Sequence, residues 1–381
     1  MQGLTEELKK LVCDYSAAYS NSSKSLNIIS TRDTNNSLDN SNILSSYILN
    51  GYSFKIGNVP VKNPVIAAPL AGISDNTYRI FAQYFGSALT YSEMISSYGI
   101  HFDHAASREL AHVTDFERPV ALQIFGSEPD ILLDAAQKIE SIADIVDINM
   151  GCPVPKVLKS KSGGFLLQDE DKVERIITKI AGRITKPLTV KLRIGWDKNN
   201  INVFNIARIA QSSGAAAISI HGRTVKQGFT GEVNYEVIKK VKELVNIPVI
   251  ASGDIDSPAK AKQALDYTGC DAVMIGRASK GTPWIFFNIL ISLKNGLDAV
   301  SGDPRGISFY DDFSPDIDFK KKFAELYLKF LISFSSEEKA VKEFRKYLSW
   351  IFKGTRGINR FKHKFFAIKS FKDVLNIMGS L

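Results

Sequence analysis

The chain has 381 residues, 44% of them hydrophobic, with 48 Lys and Arg against 40 Asp and Glu for a formal net charge of +8. That length accommodates one barrel of about 250 residues plus a smaller domain, with a core large enough to need no covalent staples. Cys13, Cys152 and Cys270 lie far apart without a CxxC pair, and no HExxH or P-loop string occurs, so a disulfide framework, a metal site and a Walker-type phosphate loop are set aside and a reducing cytoplasm is expected.

The N-terminus, MQGLTEELKK, has no basic segment leading into an apolar run and does not read as a secretory signal. A helical pattern spans Leu4 to Tyr19. From Ser20 to Ser46, 15 of 27 residues are Ser or Asn, a composition that buries too little apolar surface to offset chain entropy. Residues 1–50 are therefore expected to be a partly disordered extension without a catalytic role.

From Phe54 the texture changes. Eight short β-type runs follow: Val65–Gly72, Ala88–Met94, Val120–Gly126, Ile145–Cys152, Leu188–Gly195, Ala216–Arg223, Val249–Ile255 and Ala272–Ala278. Between them lie amphipathic segments such as Asp130–Ile142, Asp169–Ile184, Asn202–Ser213, Tyr235–Val245 and Pro258–Tyr267, with apolar residues three and four apart. Alternating β and α units with near-continuous apolar strands predict a parallel sheet, and a count of eight predicts its closure into a (β/α)8 TIM barrel over residues 54–290. An open doubly wound sheet would want a Gly-rich dinucleotide turn after the first strand, where this chain has AAPLAGISD.

The most apolar window, Trp284 to Leu293, ends at Lys294 and is too short for a bilayer of about 30 Å, so no membrane is expected. Residues 291–317, broken by Gly296, Gly302, Pro304, Gly306 and Pro315, read as a linker. Residues 318–381 then carry two apolar helical faces and read as a small C-terminal all-α domain. This segment holds 15 Lys and Arg against 6 Asp and Glu, whereas residues 1–317 hold 33 against 34. Arg345 to Lys372 contains nine basic residues and no acidic one, a regional excess that favours a nucleic-acid partner over a merely solvated basic face.

The chemistry gathers where strands end, the face on which barrels of this kind carry their sites. In DINMGCPVPK, residues 147–156, an apolar run delivers Asn149 and Cys152 onto a turn shaped by Gly151 and Pro153. The other runs deliver Pro69 and Leu70; Gln123; Lys191 and Arg193; His221 and Arg223; Ser252, Gly253 and Asp254; and Gly276 and Arg277. A lysine inside LTVKLRIG is costly to bury unless an acceptor meets it. The loops after strands seven and eight, SGDI and IGRA, offer backbone N–H groups, glycines and an arginine for a phosphate. A phosphate grip there, with Gln123, Lys191 and His221 around the mouth, suggests FMN.

In the order APLAGISDNTYR, ALQIFGS, DINMGCPVPKV, VKLRIGW, HGRT, SGDI, DYTGCDAVMIGRASKG and PWIF, the chain from about Ile56 to Trp284 resembles the tRNA-dihydrouridine synthase family, in its bacterial subgroup. The resemblance implies an FMN enzyme that uses NADPH or NADH to reduce the uridine 5,6 double bond in tRNA, with hydride reaching C6 from the flavin and a proton reaching C5 from Cys152. It puts Pro69, Leu70 and Ala71 beneath the flavin, Gln123 and Lys191 at its polar edge, and His221 beside it. Ser252, Gly253, Asp254, Gly276 and Arg277 fall to the phosphate and ribityl chain. Asn149 and Arg193 fall to the substrate base, Arg223 to the substrate, and Arg345, Lys346 and Lys353 of FRKYLSWIFKG to the RNA backbone. A cytoplasmic monomer is expected.

This chain departs from the family at Ser252, where Asn is usual, at Phe229, where some relatives have Tyr, in SKSGGF after the cysteine, and in its N-terminal extension. A thiolate nucleophile at Cys152 is the rival to its acid role, since Lys156 and Lys159 are near in sequence. An FMN barrel acting on a free pyrimidine and an RNA-binding protein without catalysis are the alternative functions.

Overall fold

The computed structural model describes residues 1–24, 52–295 and 313–381. It contains the strands β1 (Phe54–Ile56), β2 (Val59–Val61), β3 (Val65–Ala67), β4 (Thr90–Tyr91), β5 (Ile95–Ser96), β6 (Val120–Phe125), β7 (Ile145–Met150), β8 (Leu188–Arg193), β9 (Ala217–His221), β10 (Val249–Ser252) and β11 (Ala272–Ile275). Apart from the antiparallel β1–β2 hairpin, they form one parallel sheet in the order β3-β11-β10-β9-β8-β7-β6-β4, with β5 also pairing β6. Closure comes at Ile66 and Leu89, where Ala67 N donates to Leu89 O at 3.0 Å and Ala88 N to Val65 O at 2.8 Å. All eight expected runs are barrel strands, and the expected (β/α)8 barrel is what the chain forms.

Because successive side chains of a strand face opposite ways, each strand divides its residues between two layers. Leu122 and Ile124, Val146 and Ile148, Val190 and Leu192, and Ile218 and Ile220 join the large cluster under the surrounding helices. Ile66, Leu89, Tyr91, Ala121, Ile145, Ala217, Ile250 and Ala272 form a second cluster inside the barrel, which Ile56 and Val61 of the hairpin close from below. Continuing up the inner positions, the residues turn polar: Gln123, Asp147 and Asn149, Lys191 and Arg193, Ser219 and His221, and Ser252. The apolar lower half holds the barrel shut, and the polar upper half is the site.

The N-terminal helix, Gln2–Lys24, continues five residues into the Ser/Asn tract; the rest of the tract lies outside the described residues. Leu8, Leu11, Val12, Tyr15 and Tyr19 are buried against helices 76–84 and 317–334. The helix Trp284–Asn295 likewise runs into the first five residues of the expected linker, of which 296–312 are not described. Asp316 caps the next helix, Ile317–Phe334, by accepting from Phe319 N at 2.8 Å. Helix Glu337–Ile351 packs beside it. Phe81 of the barrel helix 76–84 sits among Phe323, Tyr327 and Phe330, with ring centroids 4.8 to 5.3 Å away, so the C-terminal helices share one core with the barrel. Among the described residues, no helix is long and apolar enough to cross a membrane.

Candidate active site

A cavity of about 860 Å³ opens at the C-terminal ends of the barrel strands. It is lined by Pro69, Leu70, Ala71, Gln123, Asn149, Cys152, Lys191, Arg193, His221, Ser252, Gly253, Asp254, Gly276 and Arg277 from the barrel, and by Lys353 from the C-terminal helices. Register explains the convergence. Gln123 pairs with Asp147, Asn149 with Lys191, Arg193 with His221 and His221 with Ser252 on adjacent strands, so inward positions from five strands meet at neighbouring levels.

The turn carrying Cys152 is built by its own strand. Asn149 Oδ1 accepts from Gly151 N at 3.1 Å and Cys152 N at 2.9 Å, and its Nδ2 donates to Gln123 Oε1 at 2.8 Å. Gln123 Nε2 in turn donates to Asp147, whose other oxygen accepts from Thr189. Burial raises the Asp147 carboxyl to about 6, with Thr189, Gln123 and Lys191 opposing the rise. From the neighbouring strand, Arg193 Nε donates to Gly151 O at 2.9 Å while its Nη1 holds Thr224 O and Gly228 O. Beneath the turn, Gly164 N donates to Cys152 O at 3.0 Å. A Cβ on Gly163 would stand 3.1 Å from that of Cys152, and one on Gly164 2.6 Å from Val225, so the SKSGGF spelling serves close packing under the thiol.

The cavity is cationic. Lys191 has no hydrogen-bond partner among the described residues, and burial followed by the neighbouring Arg193 lowers its ammonium to about 8, against the pull of Asp147 and Cys152. His221 is held neutral, at about 2, by burial and by Lys191, Arg193, Arg223 and Arg277. Burial pushes the Cys152 thiol above its ordinary value, more than Val154 N–H, Arg193 and Lys191 pull it down. It is therefore a thiol at neutral pH, which favours the acid over the thiolate nucleophile.

At the ends of β10 and β11, the backbone N–H groups of Gly253, Asp254, Gly276 and Arg277 find no acceptor among the described residues. Gly253 adopts φ +130, and a Cβ there would stand 2.8 Å from Val233. Asp254, at φ 48, orients the half-exposed Arg277 through a 2.5 Å contact to Nη2. These groups fit a flavin mononucleotide: open N–H donors and a guanidinium for its phosphate, and an unspent ammonium for the acceptors of its ring. The volume is within the range of cofactor pockets.

Three residues expected to bind the substrate, Arg223 in the barrel and Arg345 and Lys346 on the RNA backbone, do not line this cavity. Arg223 is buried, its guanidinium spent on Asp254 and on the carbonyls of Thr230 and Gly231. Arg345 is bound to Ile368 O at 3.1 and 2.6 Å. Lys346 is engaged by Gly72 O and Glu343. Conversely, the sequence reading left out Asp147, which orients Gln123, and Lys280, which lines the mouth over the Trp350 ring. Asp147 was visible as the lone carboxylate in the buried run IVDINM; Lys280, on an irregular loop, carried no pattern.

A sequence model of the family described as dihydrouridine synthase matches residues 65–379. The chain is 39% identical to tRNA-dihydrouridine synthase B of Pasteurella multocida over 84% of this chain and 93% of that protein. It is 38% identical to tRNA-dihydrouridine synthase B of Escherichia coli K12, over 85% and 97%. Among solved structures, histamine dehydrogenase from Rhizobium sp. 4-9 superposes with a TM-score of 0.50 at 11% identity, covering 63% of this chain and 47% of that one. A 6-hydroxypseudooxynicotine amine oxidase from Pseudomonas geniculata N1 superposes with a TM-score of 0.50 at 13% identity, covering 67% and 51%. At those identities the likeness is one of fold, and this chain spans about half the length of each. By the family match over 65–379 and the relatives aligned along most of its length, the chain belongs to the dihydrouridine synthase family.

Proposed function

We propose that this chain reduces the 5,6 double bond of a uridine in tRNA, holding FMN in the barrel cavity and drawing electrons from NADPH or NADH. The observation that carries the reading is one open cavity into which the Cys152 thiol, the unspent Lys191 ammonium and the free N–H groups at the ends of β10 and β11 all face. Pro69, Leu70 and Ala71 would lie beneath the flavin ring, Gln123 and Lys191 at its polar edge, and Gly253, Gly276 and Arg277 at its phosphate. When bound, FMN supplies a hydride to C6 of the uracil.

The remaining proton is the protein's to give. The half-buried, protonated Cys152 delivers it to C5, so that hydride and proton together saturate the bond. Asn149 and Arg193 position that thiol by fixing the backbone on either side of Gly151. Arg193 Nη2 has no acceptor among the described residues and can donate to a uracil carbonyl as charge develops on it. The base must leave its stack to enter, which is cheapest from a loop. Lys280 and Lys353 at the mouth would receive the flanking phosphates.

The purified protein should be yellow and should form dihydrouridine in unmodified tRNA. Cys152→Ala should keep FMN and its reduction by the nicotinamide while dihydrouridine formation falls by about 10²- to 10⁴-fold; an unimpaired turnover rate would remove the acid role. In the wild type, turnover should persist through neutral pH and decline on the alkaline side as the thiol loses its proton.

A further inference from the structure

The segment Leu70–Asp75, between β3 and helix 76–84, forms one wall of the cavity through Leu70, Ala71 and Ile73. Ile73 N and Ser74 N donate to Leu70 O and Asp75 N to Ile73 O, and side chains hold much of the remaining backbone. Leu70 N donates to Ser74 Oγ at 2.9 Å and Arg79 Nη1 donates to Ser74 O at 2.7 Å. Gly72, exposed and at φ +71, is gripped from both sides: its N–H donates to the Glu93 carboxylate, and its carbonyl accepts from Lys346 Nζ at 2.6 Å. Next to it, the Tyr347 hydroxyl donates to Ile73 O at 3.2 Å. An exposed glycine would otherwise exchange both groups with water and sample many conformations. Here Lys346 of helix 337–351 and Glu93, just after the second barrel strand, fix it, and Tyr347 fixes its neighbour Ile73.

The charge around Lys346 separates it from the other C-terminal cations. Glu343 pairs with it one turn earlier on its helix, and its charge is also felt at the carboxyls of Asp75 and Glu93. With Glu343 paired to it, Glu93 on the other side of Gly72 and a carbonyl in its grip, little remains to attract a phosphate. Lys353, Arg356 and Arg360 are exposed and form no ion pair among the described residues.

We propose that Lys346 and Glu93 are positioning residues that clamp Gly72 between them, so that the C-terminal helices shape the floor on which the flavin lies. This rests on the reading that FMN occupies the cavity above Pro69–Ala71. In this role the C-terminal segment contributes to the cofactor pocket as well as to the RNA surface, and it acts through backbone geometry rather than by touching the ligand.

The test uses the full-length holoenzyme. Lys346→Met should raise the FMN dissociation constant about tenfold and shift the visible absorption bands of the bound flavin, as expected when a charged hydrogen bond behind a ligand wall is lost. The KM for tRNA and the salt dependence of tRNA binding should stay at wild-type values. Glu93→Gln, which leaves the C-terminal helices intact, should move FMN affinity in the same direction and serves if the first variant does not fold. Glu343→Gln, which leaves both bonds to Gly72 in place, should leave FMN affinity and the flavin spectrum unchanged. Wild-type FMN affinity and spectrum in the two clamp variants, or weakened tRNA binding with a shallower salt dependence in Lys346→Met, overturns the proposal and makes Lys346 a phosphate contact. A wild-type chain that takes up no FMN at all instead overturns the parent reading, and is distinguished by being measured before any variant.

Discussion

Lys191 carries the clearest conflict between folding and function. An ammonium lowered to about 8 binds its proton less tightly in the folded chain than in the unfolded one, whose value is near 10.5. In the absence of ligand it therefore opposes folding below about pH 8, and that opposition is relieved as pH rises from there toward 10.5. Lys191→Met should raise the melting temperature of the apo-protein at pH 7 by about 2–4 °C and weaken FMN binding at the same pH. Wild-type affinity for FMN should fall as pH rises beyond about 8, with a bound acceptor delaying the loss, and the variant should show no dependence in that window; titration of flavin fluorescence from pH 7 to 10 checks both. The lysine in LTVKLRIG was legible as an expensive residue. That it reaches no hydrogen-bond partner among the described residues, while Arg193 two residues on gives Nε and Nη1 to three carbonyls, was not, because those carbonyls come from separate loops.

At the scale of elements, the strands read well because parity along a strand is a local property. IVDINM and LTVKLR already say which residues share a face, and the barrel converts that face into a cavity. The N-terminal helix read less well. Its apolar spacing was plain, but its docking depends on what it meets. Tyr15 is fully buried, its hydroxyl donating to Asn288 Oδ1 at 2.7 Å and its ring set edge-on against Phe85 and Phe287, with Phe319 tilted at 5.2 Å. Tyr15→Ala should destabilise this packing by about 3–5 kcal/mol, and limited proteolysis should then cut at Lys9 or Lys10 much earlier than in the wild type. Tyr15→Phe, which removes only the hydroxyl, should cost about 1 kcal/mol.

Over the whole molecule, charge divides into cations committed to structure and cations left for a partner. The exposed Lys353, Arg356, Arg360, Lys362 and Lys364 face outward from the C-terminal helices, and Lys353 reaches the cavity mouth. A polyanion held there would lie beside the opening through which its base must enter. Replacing Arg356 and Arg360 together by Ala should weaken tRNA binding and flatten the slope of log affinity against log salt by about 1.4–1.8, the amount expected for two lost phosphate contacts. Filter binding across a salt series measures it. A steep slope that survives the double substitution would move the RNA to another face.

What the sequence by itself determined is whatever depends on near neighbours: the alternation of strands and helices, the inward residues of each strand, the thiol on its turn, and the strings that mark the family. Only the tertiary structure decided which of the many cations remain free. Arg223 is claimed by an aspartate 31 residues away, Arg345 by a carbonyl 23 residues away and Lys346 by one 274 residues away. A charge is available to a ligand only when folding has not already supplied its counterpart, and that counterpart comes from segments the chain brings together only in three dimensions.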